Sequence, residues 1–402
     1  MKVLVLGLMV LDMVWQGFLE VLDRRSLKNP VPACVADVYD PQEYQRWRSY
    51  KGEKSRVGVF QAAVMFLAEL ALILPDGYAA FARLFPAGIY PQLLSVVLLE
   101  QLVTLVIGIP FEAYDTFVIE EKYGFNRSTV KTFIADQIKG LLIGLILMGG
   151  LICAFALIHQ ALGDWVLVLF AAVFMVLILA ISLLAPVFTR LFNKFTPLPD
   201  GELKEKLTAL LTSHGYRVRA IEVMDASRRS TKMNAYFTGF GPMKTIVLYD
   251  TLVEATTPDQ LCAVFAHELG HGLHHDTLKM QLRNSVQVIL IAVITWLIVR
   301  TPSVFTAFGF EGVNYGFAFT LMSTVMGVLT PLWGLFSNTL ERKAEYRADA
   351  QAVSEGYGEA LVTALKVLTK GNFGDLAPDP LLIKLTYSHP SLAQRIEAIR
   401  KK

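Results

Sequence analysis

The 402-residue chain is poor in charge: Asp, Glu, Lys and Arg make up only 18% of it, where ordinary soluble domains carry about a quarter. That shortage argues against a soluble globular protein. Neither sign dominates, the formal net charge being +2, so the electrostatic footprint of a nucleic-acid binder is missing. Cysteine is scarce as well. Cys34, Cys153 and Cys262 are odd in number and widely spaced, which suits reduced thiols rather than a disulfide framework or a zinc ribbon. No internal repeat and no low-complexity tract interrupts the chain.

What replaces charge is apolar sequence in long runs. A transmembrane helix needs about 20 such residues, and seven candidates are expected: Val3–Leu19, Val57–Leu74, Ile89–Pro110, Leu141–Ile158, Trp165–Leu191, Val286–Val299 and Tyr315–Leu335. The sixth is short on its own, and its alternative is a buried or re-entrant segment. With the amino terminus outside, only Lys2, Arg83 and Arg300 of the 37 Lys and Arg residues fall outside, leaving 34 on the inner side. That is the positive-inside bias, and it places both long polar segments in the cytoplasm. The first run is interrupted by Asp12 and lacks a small-residue cleavage site, so a retained helix is expected rather than a signal peptide. Asp12, Glu69 and Glu100 lie within the runs, with Gln101 beside the last. Intramembrane carboxylates are costly and face a bundle interior or a water-filled cavity, so a hydrated interior is expected.

The polar part divides accordingly. Residues 1–192 hold five spans and their loops, 193–284 a first polar segment, 285–337 a two-helix membrane hairpin, and 338–402 a second polar segment that begins as a continuation of the seventh span. In the first polar segment, Asp200 is placed to cap a helix over Gly201–His214 that stops at Gly215. Ala220–Met224, Asn234–Phe240 and Thr245–Tyr249 read as short strands. Thr257, Pro258 and Gln260 form the start signal of a further helix.

That helix carries His-Glu-Leu-Gly-His at 267–271. Histidines four residues apart share one helix face and can bind a single metal ion, and Glu268 between them can take a proton from the water the metal activates. A catalytic zinc has three protein ligands and an open position. Candidates for the third are Glu345, Asp349, His274, His275 and Asp276. The last three lie on or just past the same helix, which cannot easily wrap three ligands round an ion. Glu345 and Asp349, one helical turn apart, suit a ligand and a carboxylate that orients His267 through its other nitrogen. Zinc fits imidazole and carboxylate donors in a tetrahedral site. The resulting expectation is one Zn2+ per chain and a membrane hydrolase. A seven-helix receptor or channel would not need a base between two ligands. A zinc hydrolase of lipid amides would not need a substrate-pairing strand.

Lys-Met-Asn-Ala-Tyr-Phe-Thr-Gly (232–239), the His-Glu-Leu-Gly-His helix, Arg-Lys-Ala-Glu-Tyr-Arg-Ala-Asp (342–349) and Ser-His-Pro (388–390) follow one another in that order. Upstream stand Phe-Val-Ile-Glu-Glu-Lys-Tyr-Gly-Phe-Asn-Arg (117–127) and Asp-Gln-Ile-Lys (136–139). Over nearly the whole chain these resemble the type I CAAX prenyl proteases, integral-membrane zinc metallopeptidases. The resemblance implies a mainly α, polytopic membrane protein: seven transmembrane helices in a barrel round a water-filled chamber, closed on the cytoplasmic side by a small α+β, gluzincin-like zinc domain. It implies His267, His271 and Glu345 as zinc ligands and Glu268 as catalytic base. It also implies Asn234, Ala235, Tyr236 and Phe237 as an edge strand holding an extended peptide, with Asn234 beside the scissile bond, and His389 as a donor to the oxyanion. Arg395 is expected to anchor the His389 loop or a substrate carboxylate. The implied partners are the lipid bilayer and a peptide or protein substrate, either lipidated in the CAAX manner or misfolded. The chain length and the brief 300–314 connection look bacterial, which points to an inner membrane.

Overall fold

Each apolar run becomes helical, and most helices extend well past the run that announces them. The computed structural model describes residues 1–238 and 243–402. The membrane part comprises α1 (Lys2–Ser26), α2 (Pro41–Ile73), α3 (Ile89–Tyr123), α4 (Val130–Leu162) and α5 (Val166–Phe192). The polar part adds α6 (Glu202–Ser213) and α7 (Pro258–Leu273). The chain then re-enters the membrane part through α8 (Asp276–Val299) and α9 (Tyr315–Ser354). It ends with α10 (Gly358–Gly371), α11 (Pro380–Thr386) and α12 (Leu392–Arg400).

Among the described residues, six stretches are long and apolar enough to cross a membrane: α1, α2, α3, Val130–Leu169, α8 and α9. The fifth expected span, Trp165–Leu191, coincides with the helix α5, but much of it lies outside the residues whose side chains are described. The short sixth run gains its missing length from three polar turns at its start, so that α8 reaches 24 residues. In α3, wider π-type turns at Thr104–Gly108 and Asp115–Glu120 flank Pro110. Proline lacks an N–H and crowds the preceding turn, and a wider turn is one way the helix accommodates it.

α9 is the structural axis. At 40 residues it is about 60 Å long, roughly twice the hydrocarbon thickness of a bilayer. Its first half packs in the membrane core, where Phe317, Ala318, Phe319 and Leu321 are buried. Its second half carries Ala352 into the core of the polar domain.

A cavity of about 790 Å³ lies within the membrane helices, lined in part by Asp12, Gln16, Glu20, Glu69, Glu100 and Gln101. The acids expected to face an interior do so. Glu100 accepts hydrogen bonds from Tyr78 (2.8 Å) and Thr320 (3.0 Å). At the helix ends remote from the polar domain, each of the three basic residues has a partner. Lys2 lies 2.6 Å from Asp76, Arg300 lies 3.4 Å from Asp164, and Arg83 donates to the Gly309 carbonyl.

The polar domain contains a four-stranded sheet in the order β1-β2-β4-β3. Its strands are β1 (Phe195–Pro197), β2 (Arg217–Met224), β3 (Ala235–Thr238) and β4 (Met243–Tyr249). β2 and β4 run parallel, while β1 and β3 pair antiparallel with them. β3 is therefore a terminal strand, and Phe240, at the end of the strand expected over Asn234–Phe240, lies outside the described residues. α6 begins one residue later than expected. Gly201 takes the cap position with no side-chain cap, and Asp200 pairs instead with Lys204 at 2.6 Å. The helix ends at Ser213, one residue before the expected His214; Gly215 adopts φ +79°, and Tyr216 N–H donates to Leu211 O to close the last turn.

Candidate active site

The site begins with a well-capped helix. Thr257 Oγ1 accepts from Gln260 N–H and the Gln260 side chain accepts from Thr257 N–H, fixing where α7 starts and hence which residues face where. Leu261, Cys262, Phe265, Ala266 and Leu269 fill the domain core. His267 and His271 fall on the face turned to α9, their ring centroids 4.8 Å apart. Glu268 is half-buried beside them. α7 and α9 can approach closely because residue 270 is glycine: a Cβ there would lie 2.7 Å from Ala348 Cα.

That approach delivers Glu345. Its Oε1 lies 3.2 Å from His271 Nε2 and its Oε2 lies 3.5 Å from His267 Nε2. One donor atom from each of the three residues lies within 4.8 Å of the others. Glu345 Oε2 is buried and accepts no hydrogen bond. A buried carboxylate oxygen is costly to leave unpaired, and two nitrogens with one carboxylate oxygen are a donor set suited to zinc. The residues present therefore fit a metal ion.

Both imidazoles are held from behind. His267 Nδ1 lies 2.9 Å from Asp349 Oδ1, and His271 Nδ1 lies 3.2 Å from Asp276 Oδ2. A carboxylate at Nδ1 fixes the proton there and leaves Nε2 as the ligand atom. The two carboxylates are held in turn. Arg395 donates through Nη2 and Nε to the two oxygens of Asp349 (2.6 and 3.0 Å), and Arg347 donates to Asp276 (2.8 Å). Burial works to raise the Asp349 pKa, but the bonds from His267 and Arg395 outweigh it and hold the carboxyl below its ordinary range.

Arg395, six residues beyond His389, is tied to α9 through Asp349. Its side chain is 11% exposed; Nε and Nη2 bond Asp349, while Nη1 lies 3.4 Å from Glu345 Oε2 as an ion pair without a hydrogen bond. His274 and His275 are exposed, outside the metal-ligating group. Asp276, considered as a ligand, instead backs His271. His389 is 63% exposed, with Nε2 3.4 Å from Glu345 Oε1 and Nδ1 2.9 Å from Ser388 Oγ.

Asn234 is exposed just before β3. Its carbonyl accepts from Tyr249 N–H and its side-chain oxygen from Ala235 N–H. Ala235 packs on the core that buries one face of α7, and Tyr236 packs on the opposite face of the sheet. Both side chains are therefore occupied. The described part of β3 pairs on one side, with β4. The Phe237 side chain lies outside the described residues.

Two anchors of this strand were not legible in the sequence. The Asn372 amide accepts from Met233 N–H (2.8 Å) and donates to Met233 O (3.0 Å), pairing with the backbone as a neighbouring strand would. Glu120 accepts from Tyr50, Lys54 and Lys232, and Asp136 accepts from Arg229. The 117–127 and 136–139 motifs thus tie the run into β3 to the membrane helices.

Residues 22–194 match the family model described as the CAAX prenyl protease N-terminal region with five membrane helices, and residues 197–402 match Peptidase family M48. The chain is 33% identical to the CAAX prenyl protease 1 homolog of Arabidopsis thaliana, covering 98% of this chain and 96% of that protein. It is 31% identical to CAAX prenyl protease 1 of Saccharomyces cerevisiae, covering 99% and 95%. The crystal structure of S. mikatae Ste24p superposes with a TM-score of 0.92 at 29% identity, over 99% of this chain and 98% of that one. A histidine–glutamate cluster with a donor set that fits a metal ion, at the meeting of two helices in a multi-pass membrane chain, is thereby placed in a lineage: this chain belongs to peptidase family M48 and is a membrane metalloendopeptidase.

Proposed function

We propose that the chain binds one zinc ion through His267 Nε2, His271 Nε2 and Glu345, and cleaves peptide bonds of membrane-associated substrates, including the lipidated CAAX type named for its relatives. The observation that carries this reading is the pair of imidazoles, each backed by its own carboxylate and facing a glutamate oxygen that lacks a hydrogen bond. The chemistry the ion supplies when bound is Lewis-acid activation of water and polarisation of the scissile carbonyl.

The chain's own residues supply the rest. Glu268 accepts a proton from the attacking water and returns it to the leaving amine. His389, exposed beside Glu345, donates to the oxygen on which negative charge develops. The open side of β3 pairs with an extended peptide through main-chain bonds, which makes little demand on sequence, and Asn234 bonds the peptide near the scissile bond. The packing of Ala235 and Tyr236 supports this backbone-led reading over one in which those side chains select the substrate. Asp349 orients His267, and Arg395 holds Asp349.

In this reading seven helices enclose the cavity as a hydrated barrel, with 1–192 and 285–337 forming it and 193–284 and 338–402 forming the protease domain. The positive-inside bias puts the amino terminus outside and the site in the cytoplasm. The brief 300–314 connection favours a bacterial plasma membrane. The test is Glu268→Ala in the full chain, purified in detergent. It should keep one zinc per chain and lose cleavage of an internally quenched peptide. Wild-type turnover in that variant would refute the mechanism.

A further inference from the structure

The Arg-Lys-Ala-Glu motif begins with a residue that the mechanism does not use. Arg342 lies one turn before Glu345 on α9, half-buried. Its Nη1 donates to the carbonyls of Ile383 (3.1 Å) and Tyr387 (2.5 Å). Its Nη2 donates to Thr339 Oγ1 (3.0 Å) and lies 3.4 Å from the Lys384 carbonyl, which it faces as a donor. One turn earlier, Asn338 donates to the Thr386 carbonyl at 3.1 Å.

These carbonyls lie in the last turn of α11 and just past it, where a helix leaves most of its acceptors without an intrahelical partner; the Ile383 carbonyl also accepts from Tyr387 N–H at 3.2 Å. A cation there also meets the negative end of the helix dipole. The planar, multi-donor guanidinium can bond several of these acceptors at once, which a lysine ammonium matches poorly. Two residues beyond Tyr387, the chain reaches His389.

Asn338, Arg342, Glu345 and Asp349 recur at the spacing of one helix face. That single face therefore meets the 383–395 segment three times. Asn338 and Arg342 hold its beginning, Glu345 meets His389 at 3.4 Å, and Asp349 receives Arg395 at its end. His389 is exposed and its only hydrogen bond among the described residues is to the adjacent Ser388. Its location is thus set by its flanks rather than by its own contacts.

We propose that Arg342 is a positioning residue for the peptidase reaction, fixing His389 beside the metal cluster by clamping the carbonyls of the preceding helix end. This rests on the oxyanion-donor role given to His389 above. Arg342 touches neither substrate nor metal in this scheme and acts through His389 alone.

The test is a double-mutant cycle on the zinc-loaded full chain in detergent, read as kcat, KM and zinc content with a quenched peptide. Arg342→Ala should lower kcat about 10- to 100-fold, the scale of a misplaced catalytic group, with KM and zinc content unchanged. Arg342→Lys should fall between it and the parent, and is read in its place if the alanine variant does not fold. In a His389→Ala background, neither Arg342 variant should lower kcat further. Unchanged kcat in the Arg342 variants, loss of zinc, or losses that multiply with that of His389→Ala would each overturn the proposal. Full activity of His389→Ala by itself would instead overturn the mechanistic role of His389, and this proposal with it, so the two failures are told apart by that single variant.

Discussion

Asp349 Oδ1 lies 2.9 Å from His267 Nδ1, and the same oxygen receives Arg395 Nη2 at 2.6 Å. Two donors converge on one oxygen, so the imidazole has a fixed tautomer and a fixed plane. Asp349→Asn removes the charge from this arrangement and leaves the Arg395 guanidinium short of its counter-ion. Metal affinity should fall about 10- to 100-fold, the usual effect of losing an orienting carboxylate. Competition against a chelator of known affinity measures it. Asp276→Asn should cost less, because His271 is more exposed than His267, at 21% against 9%, and its bond to Asp276 is longer, at 3.2 Å. Equal losses at both positions would contradict this ranking.

Gly270 controls the distance between the two helices that build the site. A Cβ at 270 would meet Ala348 Cα at 2.7 Å and Gln351 Cβ at 3.0 Å. The nearest of these is backbone, so α9 must shift, and Glu345 lies one turn away on it. Gly270→Ala should destabilise the domain by about 1–3 kcal/mol, the range for overpacking, and lower metal affinity as well. Gly272 is the internal control. There the obstacle at 2.8 Å is the Tyr216 hydroxyl, the far end of a side chain that can swing aside. Thermal denaturation in detergent and zinc retention should therefore separate the two alanine variants. Similar behaviour would show that helix approach is not what the glycine protects.

The helix start is a third point of control. Thr257 and Gln260 satisfy each other's backbone donors, and Thr257→Ala removes one half of that exchange. The expected cost is about 1 kcal/mol, with zinc-loaded turnover unchanged, because the cap is three turns from His267. A fall in kcat at full zinc occupancy would mean that the cap also sets the ligand geometry.

What could be read in advance follows from the range of the interactions. The i,i+4 histidines, the capping box and the Glu345–Asp349 turn are local, and helix periodicity alone fixes which residues share a face. The strand at 235–238 and the stop at Gly215 are equally local. Asn372 bonds Met233 across 139 residues and Arg342 bonds Tyr387 across 45. Both bond main-chain atoms, so no complementary side chain in the sequence announces the partner. For Arg395 the sequence suggests a loop or a substrate to hold but not the Asp349 carboxylate that receives it. Asp349 reads as the partner of His267, and a carboxylate has room for both. The motif at 117–127 was visible as a pattern, but its work depends on Lys232 and Tyr50, which only the folded chain brings to Glu120.

Titration gives the last prediction. In the metal-free protein, burial works to lower the His271 pKa, but the hydrogen bond and charge of Glu345, with Asp276, outweigh it and push the imidazole up to about 9. Burial works to raise Glu345, but the bond from His271 and the charges of His267 and Arg395 outweigh it and hold the carboxyl at about 2. A raised imidazole contributes stability that is complete below its unfolded value of 6.5 and is lost as pH rises through 9. A depressed carboxyl contributes stability that is present above its unfolded value of 4.5 and is lost as pH falls through 2. The metal-free ion pair therefore stabilises most between 4.5 and 6.5. Zinc competes with the proton on His271, so metal uptake at about pH 7.5 should release about one proton per ion from this residue. Release should fade above pH 9, where the imidazole is already neutral. Zinc titration in weakly buffered detergent solution with a pH indicator measures it. Uptake with no proton release at neutral pH would mean that His271 is neutral before the metal arrives, and that Glu345 does not hold it charged.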